Sequence, residues 1–266
     1  MRKLLSTFAV VVAAAVTLTA CGSSSGAETL RVGTLTDAPP SIYVDNGRFT
    51  GYDNELLRDI AKREGFQVEF VGTEFAGLLG QVASGQLDIG SSTISATAAR
   101  KKTVAFSNGY DTSYTTVVTK KGANLTGPGS FAGKRIGAVQ GSVQDEFAGK
   151  LAGAQVVRFP DYNAGFAQLR TGGLDGWVVP KDIGQKYLDQ NPAVPLEFGY
   201  TVLDKDTPSS YAVAKSNKEL LNKLNDGLAK AVADGTVARL HSQFFKEAPV
   251  AKELSQGGAG LPVTNL

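Results

Sequence analysis

Residues Gln67–Ile89 read QVEFVGTEFAGLLGQVASGQLDI, and this stretch decides the fold class. Val68 and Phe70 alternate with polar neighbours, the period of a half-buried strand. From Phe75 the period changes. Phe75, Leu78, Leu79, Val82 and Ala83 recur at helical spacing and share one buried face. Gly85 breaks the pattern, and Gln86-Leu87-Asp88-Ile89 turns back into a strand. Strands joined through a crossing helix run parallel, with the helix packed on their sheet.

The same alternation extends outward. Leu30-Arg31-Val32 reads as a strand ending at Gly33. After Gly51-Tyr52 comes a helix with Leu56, Leu57, Ile60 and Ala61 on one face and Asp53 as its expected N-cap. Residues 30–89 are therefore β-α-β-α-β. Lys121 to Gly133 is polar and Gly-rich, a loop. The pattern then restarts: strand Arg135–Val139, helix Ser142–Leu151, strand Gln155–Phe159, helix Asn163–Thr171 and strand Leu174–Val179. Leu220, Leu221, Leu224, Leu228 and Val232 form a long amphipathic helix stopped near Gly235. Val237, Leu240, Phe244 and Phe245 continue as a short helix. Two similar α/β units predict two lobes. Ligands favour the cleft between such lobes and the carboxyl ends of parallel strands.

The N-terminus is of another kind. Met1-Arg2-Lys3 is positive, Leu4 to Ala20 is almost wholly apolar or small, and Leu18-Thr19-Ala20-Cys21 closes the run. This order is that of an export signal. It resembles a bacterial lipoprotein signal, which implies removal of residues 1–20 and lipidation of Cys21. One acyl chain binds a membrane weakly, so the resemblance implies several, palmitate among them. Residues 21–28 then form the lipidated Cys and a Gly/Ser-rich tether. No later apolar run approaches the ~20 residues of a membrane span. The expected location is extracytoplasmic, lipid-anchored to the cell membrane.

Composition excludes several classes. Cys21 is the only cysteine, which excludes an internal disulfide and a cysteine-based metal site. The net charge is +2, with no dense basic stripe for nucleic acid. Lys101-Lys102 and Lys120-Lys121 read as solvated surface charge. Gly127-Pro128-Gly129-Ser130-Phe131-Ala132 matches a relaxed dinucleotide fingerprint, but a polar loop precedes it and a strand follows, the wrong context. Gly133-Lys134 fails as a phosphate loop, because Pro128 and Arg135 stand where Gly and Ser/Thr are needed. His241, the only histidine, accompanies no nucleophile signature and is expected in a surface or half-buried structural role. No cofactor and no metal are expected, and nothing argues for an enzyme.

Five segments in order resemble the family 3 extracellular solute-binding proteins, which deliver polar amino acids to ABC importers. They are Gly33-Thr34 with Pro39-Pro40 and Gly51-Tyr52-Asp53-Asn54-Glu55-Leu56; Phe75 to Ile89; Ser92 to Ser107; Gly133 to Ser142; and Tyr211 to Thr236. Asn54 departs from the apolar residue usual there. The resemblance implies a periplasmic-binding-protein-like fold of type II, with two α/β lobes joined by two crossing strands. Lobe 1 would be 27–117 plus 211–266 and lobe 2 118–210, closing over the ligand like a hinge. A monomer that docks on ABC permease subunits is implied. The same fold occurs in a cyclohexadienyl dehydratase group, and a ligand sensor for a membrane receptor is a further alternative.

By this resemblance Arg100 grips the ligand α-carboxylate, since a guanidinium forks bidentately onto a carboxylate. Thr93 and Ser95 match cleft positions that meet the ligand head group. Ser142 opens the first helix of lobe 2, where free N–H groups suit a carboxylate. Gln144 lies near the same helix start, and Phe75 matches a position packed on the ligand side chain. The acids of the family pattern are absent: Leu35 and Pro180 occupy their places, and Ala38 replaces an aromatic residue. An ammonium in a closed cleft needs a counter-charge. Asp37 and Asp182, each two residues from a lost position, are the expected substitutes, with Asp161 a third. Otherwise the ligand lacks a normal α-amino group.

Overall fold

The computed structural model describes residues 27–112, 114–203, 207–246, 250–255 and 258–265. The leader, Cys21 and the first part of the tether lie outside the described residues. The chain starts with β1 (Thr29–Thr34), then a small antiparallel meander of β2 (Asp37–Ala38), β3 (Ile42–Asp45) and β4 (Arg48–Thr50). Helix α1 (Tyr52–Glu64), β5 (Gln67–Gly72), α2 (Phe75–Ala83), β6 (Ile89–Ser95) and β7 (Val104–Phe106) follow. The next group is β8 (Tyr114–Lys120), β9 (Arg135–Val139), α3 (Val143–Gly149), β10 (Gln155–Phe159), α4 (Tyr162–Thr171), β11 (Gly176–Pro180), α5 (Lys181–Gln190) and β12 (Leu196–Leu203). The chain returns through β13 (Ser209–Ala214) to α6 (Lys218–Ala233), α7 (Thr236–Phe245) and α8 (Lys252–Ser255).

Two five-stranded sheets result. The first runs β5-β1-β6-β13-β7, with β5, β1 and β6 parallel and β13 antiparallel to both its neighbours. The second runs β10-β9-β11-β8-β12, with β10, β9 and β11 parallel and β8 antiparallel to β11 and β12. Each β-α-β-α-β unit read from periodicity thus becomes the parallel part of one sheet. The sheets change over between Phe106 and Tyr114 and again between Leu203 and Ser209. The expected join at 117/118 lies inside β8, where Val117 and Val118 pair with β11.

Local chemistry explains the boundaries. Helix α1 buries Leu56, Leu57, Ile60 and Ala61, carries Lys62 and Arg63 in its last turn, and ends on Gly65 in the left-handed region. Asp53 is not its N-cap, as expected above; it is the second helical residue. Gly51 takes the cap at φ +102, a conformation that disfavours any side chain, and a Cβ there would strike the Ser41 carbonyl. In the second lobe Trp177 is fully buried, with Phe159, Tyr162 and Phe166 at its edges. One cluster of buried apolar side chains runs from Leu78 and Val82 of the first lobe to Val139, Tyr162 and Trp177 of the second. Ser41 and Asp37 hydrogen-bond across to Asp182 and Asn163. Buried side chains and hydrogen bonds thus connect the two lobes.

Candidate ligand-binding site

A cleft opens where β6 ends, at the carboxyl edge of the first parallel strands, and is faced from the second lobe by the starts of α3 and α5. Arg100 sits in a short 3-10 turn after β6 and is only 9% exposed. Its Nη1 donates to the Ser95 carbonyl at 3.0 Å and its Nη2 to the Gly141 carbonyl of the other lobe at 3.0 Å. Its Cζ lies 5.1 Å from the centre of the Phe75 ring. Burial lowers its pKa, and the more distant Glu146 charge opposes that shift; a guanidinium nevertheless stays charged. Among the described residues no carboxylate comes within ion-pair distance of it. A buried cation held only by carbonyls is incompletely compensated, and an anion in the cleft would complete it.

The other expected cleft residues fall into two groups. Phe75, Thr93, Ser95, Ser142, Gln144 and Asp182 line the cleft with Arg100. Thr93 has φ +44, a left-handed conformation costly for a β-branched residue. It is held there by Asp53, whose Oδ2 accepts the Thr93 N–H at 2.7 Å. Ser142 caps α3, accepting from the Asp145 N–H at 3.1 Å and donating to the Val139 carbonyl at 2.7 Å. Gln144 Nε2 donates to Thr115 Oγ1 at 3.1 Å.

Asp37 is not in the cleft lining, and this corrects the expectation. Its Oδ2 accepts the Asn163 N–H at 2.8 Å, so the carboxylate turns to the start of α4 instead. Asp161 caps the same helix through the Ala164 N–H at 2.7 Å. Leu35 and Ala38 are buried core residues, and Pro180 lines the cleft without a charge. His241 is also corrected: it is 4% exposed, packed edge-on against Tyr52, and burial pushes its pKa down to about 4. It is neutral at pH 7.

Asp111 was missed in the sequence. It lines the cleft from the passage between the sheets, at a position with no hydrophobic period to mark it. Behind it lies Asp53, fully buried, with Oδ2 also accepting the Tyr110 hydroxyl at 2.6 Å. Burial pushes the Asp53 carboxyl up to about 7; the bonds from Tyr110 and Thr93 pull the other way, and Asp182 adds repulsion. Asp111 is raised as well, by burial first and then by Asp182. The cleft thus holds the Arg100 guanidinium together with the carboxyl groups of Asp111 and Asp182.

The sequence pattern of the bacterial extracellular solute-binding proteins, family 3, matches residues 30–247. The chain belongs to that family. A probable histidine-binding protein of Campylobacter jejuni is 30% identical over 82% of this chain and 86% of its own. An ancestral arginine-binding protein, solved with arginine and also with glutamine, superposes with a TM-score of 0.79 in both. It is 32% identical in the arginine form, covering 83% of this chain and 99% of that one. An ancestral amino-acid-binding protein, described as a precursor of cyclohexadienyl dehydratase, superposes with a TM-score of 0.74 at 28% identity, over 82% of this chain and 96% of that one. The two-lobed α/β fold of this solute-binding family is thus the fold of the chain.

Proposed function

We propose that this protein is the extracytoplasmic amino-acid receptor of an ABC importer, tethered to the membrane by lipid on Cys21. The observation that carries the reading is Arg100, buried in the cleft with two carbonyl partners and, among the described residues, no acid within ion-pair distance. A ligand α-carboxylate supplies the missing charge, and Phe75 packs beside it. Thr93, Ser95 and the α3 start with Ser142 and Gln144 complete the head-group contacts. The relatives named for histidine and arginine support an amino acid as ligand. Ligand entry favours the closed arrangement, which the permease then recognises. We read the cleft as a binding site and not as a catalytic one, a reading supported by relatives that are named binding proteins.

A thermal-shift screen over the common amino acids and simple carboxylates tests this. A ligand that binds only the folded state raises the melting point by mass action, about 2.7 kcal/mol at one hundred times Kd. At least one amino acid should do so. Stabilisation by none of them would defeat the reading, and turnover of a stabilising ligand would move it to the enzyme class.

A further inference from the structure

Strand β6 does not reach the cleft as a regular strand. Against β13, Ala212 pairs with Gly90 and Ser210 with Ile94, so β13 advances two residues while β6 advances four. The surplus forms a bulge over Ser91, Ser92 and Thr93, opposite Tyr211, and it contains the left-handed Thr93. A bulge bends its strand and re-aims the side chains beside it. Here Ser92 and Thr93, with Ser95 at the strand end, line the cleft together with Arg100.

Each bulge residue is tied to a partner outside β6. The Ser91 hydroxyl donates to Asn54 Oδ1 at 3.3 Å, Ser92 Oγ accepts the Leu35 N–H at 3.0 Å, and the Thr93 N–H donates to Asp53 Oδ2. Asp53 and Asn54 are adjacent in the first turn of α1, both fully buried, and neither belongs to the cleft lining. Asn54 Oδ1 also accepts the Thr34 hydroxyl of β1 at 3.3 Å, and its Nδ2 donates to the Thr50 carbonyl at 3.1 Å. The Tyr211 hydroxyl, from opposite the bulge, donates to the Asp53 carbonyl at 2.9 Å. A β-branched residue keeps a positive φ only where its surroundings over-determine it. The first turn of α1 supplies that constraint, gripping the bulge at Ser91 and again at Thr93.

We propose that Asp53 and Asn54 are positioning residues of the ligand site: without touching the ligand, they hold the β6 bulge that presents Ser92, Thr93 and Ser95 to it. A bulge ordered beforehand spares the ligand the cost of ordering it on binding. Asn54 stands where the family pattern has an apolar residue, which would accept nothing from Ser91 or Thr34, so this second tie is a property of this chain. The assignment rests on the amino-acid reading above.

Calorimetry on the whole mature protein tests the assignment, the probe being the common L-amino acid that gives wild type the largest thermal shift. Asp53→Leu removes the acceptor at similar side-chain volume and should weaken binding by about tenfold or more. Asp53→Asn keeps an oxygen for the Thr93 N–H and should recover most of that loss. Thr93→Gly adds a readout that a general structural role would not move. Glycine takes a positive φ without strain, so in the Thr93→Gly background Asp53→Leu should cost less than about threefold. An equal cost in both backgrounds would overturn the proposal. So would Asp53→Leu binding as tightly as wild type while Arg100→Met fails to bind, and the receptor reading would then stand. Arg100→Met retaining full affinity, or no shift with any common amino acid, would strike the receptor reading itself. Should Asp53→Leu not fold, Asn54→Leu decides: it should weaken binding by about threefold or more, and wild-type affinity there would overturn the proposal.

Discussion

Replacing Arg100 by methionine separates a binding role from a bracing one. Methionine keeps a long unbranched stem beside Phe75 but has no charge. The variant loses two charge-assisted bonds, to the carbonyls of Ser95 and Gly141, each worth about 1.5–3 kcal/mol. It also relieves a buried cation that has no acid partner among the described residues, and the effective penalty for such an ion is several kcal/mol. The two terms are of similar size and opposite sign. The ligand-free protein should therefore change in stability by less than ~2 kcal/mol. Binding is different, because the ligand carboxylate then enters a buried site with no counter-charge. Losing one partner of such a pair costs about 2–5 kcal/mol, which is roughly 30-fold to several thousandfold in Kd. Urea unfolding without ligand and calorimetry with ligand measure the two halves. A variant destabilised by more than ~3 kcal/mol that still binds within threefold would refute the reasoning. Arg100 would then be a brace between lobes.

Three further outcomes follow from the same geometry. The Asp53 carboxyl is held at about 7 against 3.8 unfolded, so the folded state binds the extra proton; its contribution to stability is full below about pH 4 and falls as pH rises to about 7, by at most ~4 kcal/mol. Urea unfolding at pH 5 and pH 8 should show this loss in wild type and not in Asp53→Asn, and equal losses in both would count against it. Gly165→Ala should cost about 1–3 kcal/mol, because a Cβ there meets the buried Trp177 ring; an unchanged melting point would contradict that packing. Ser41→Ala removes a donor from Asp182 across the cleft, and ligand should dissociate about tenfold faster by stopped flow; an unaltered rate would mean that this bond does not hold the lobes closed.

The parallel halves of both sheets were legible because their helices repeat apolar residues over several turns. Phe75, Leu78 and Val82 are buried as their spacing predicts. Helix α5 was not legible: it buries only Ile183 and Gly184, too thin a stripe to read. The two-residue β2 and three-residue β4 are likewise too short for a period. Arg100 was legible through its motif. The cap at Gly51 was hidden because Asp53 has the right chemistry for a cap, and only the fold shows that Thr93 and Tyr110 claim its carboxylate. Asp111 was invisible for a related reason. Its place in the cleft depends on pairing with Ser209, far along the chain, and no local pattern records that contact.

Strand β13 lies inside the first sheet, between β6 and β7, and β7 joins that sheet through β13 alone. The second sheet, by contrast, is built from one continuous stretch, from Tyr114 to Leu203. A chain that emerges N-terminus first has every strand of the second sheet before it has all those of the first. Contacts between β6 and β13 span more than a hundred residues, and such distant pairings are slow to close. The lobe that holds Arg100 is thus begun first and completed last, so a chain stopped before Ser209 would carry a whole second sheet beside an open first one.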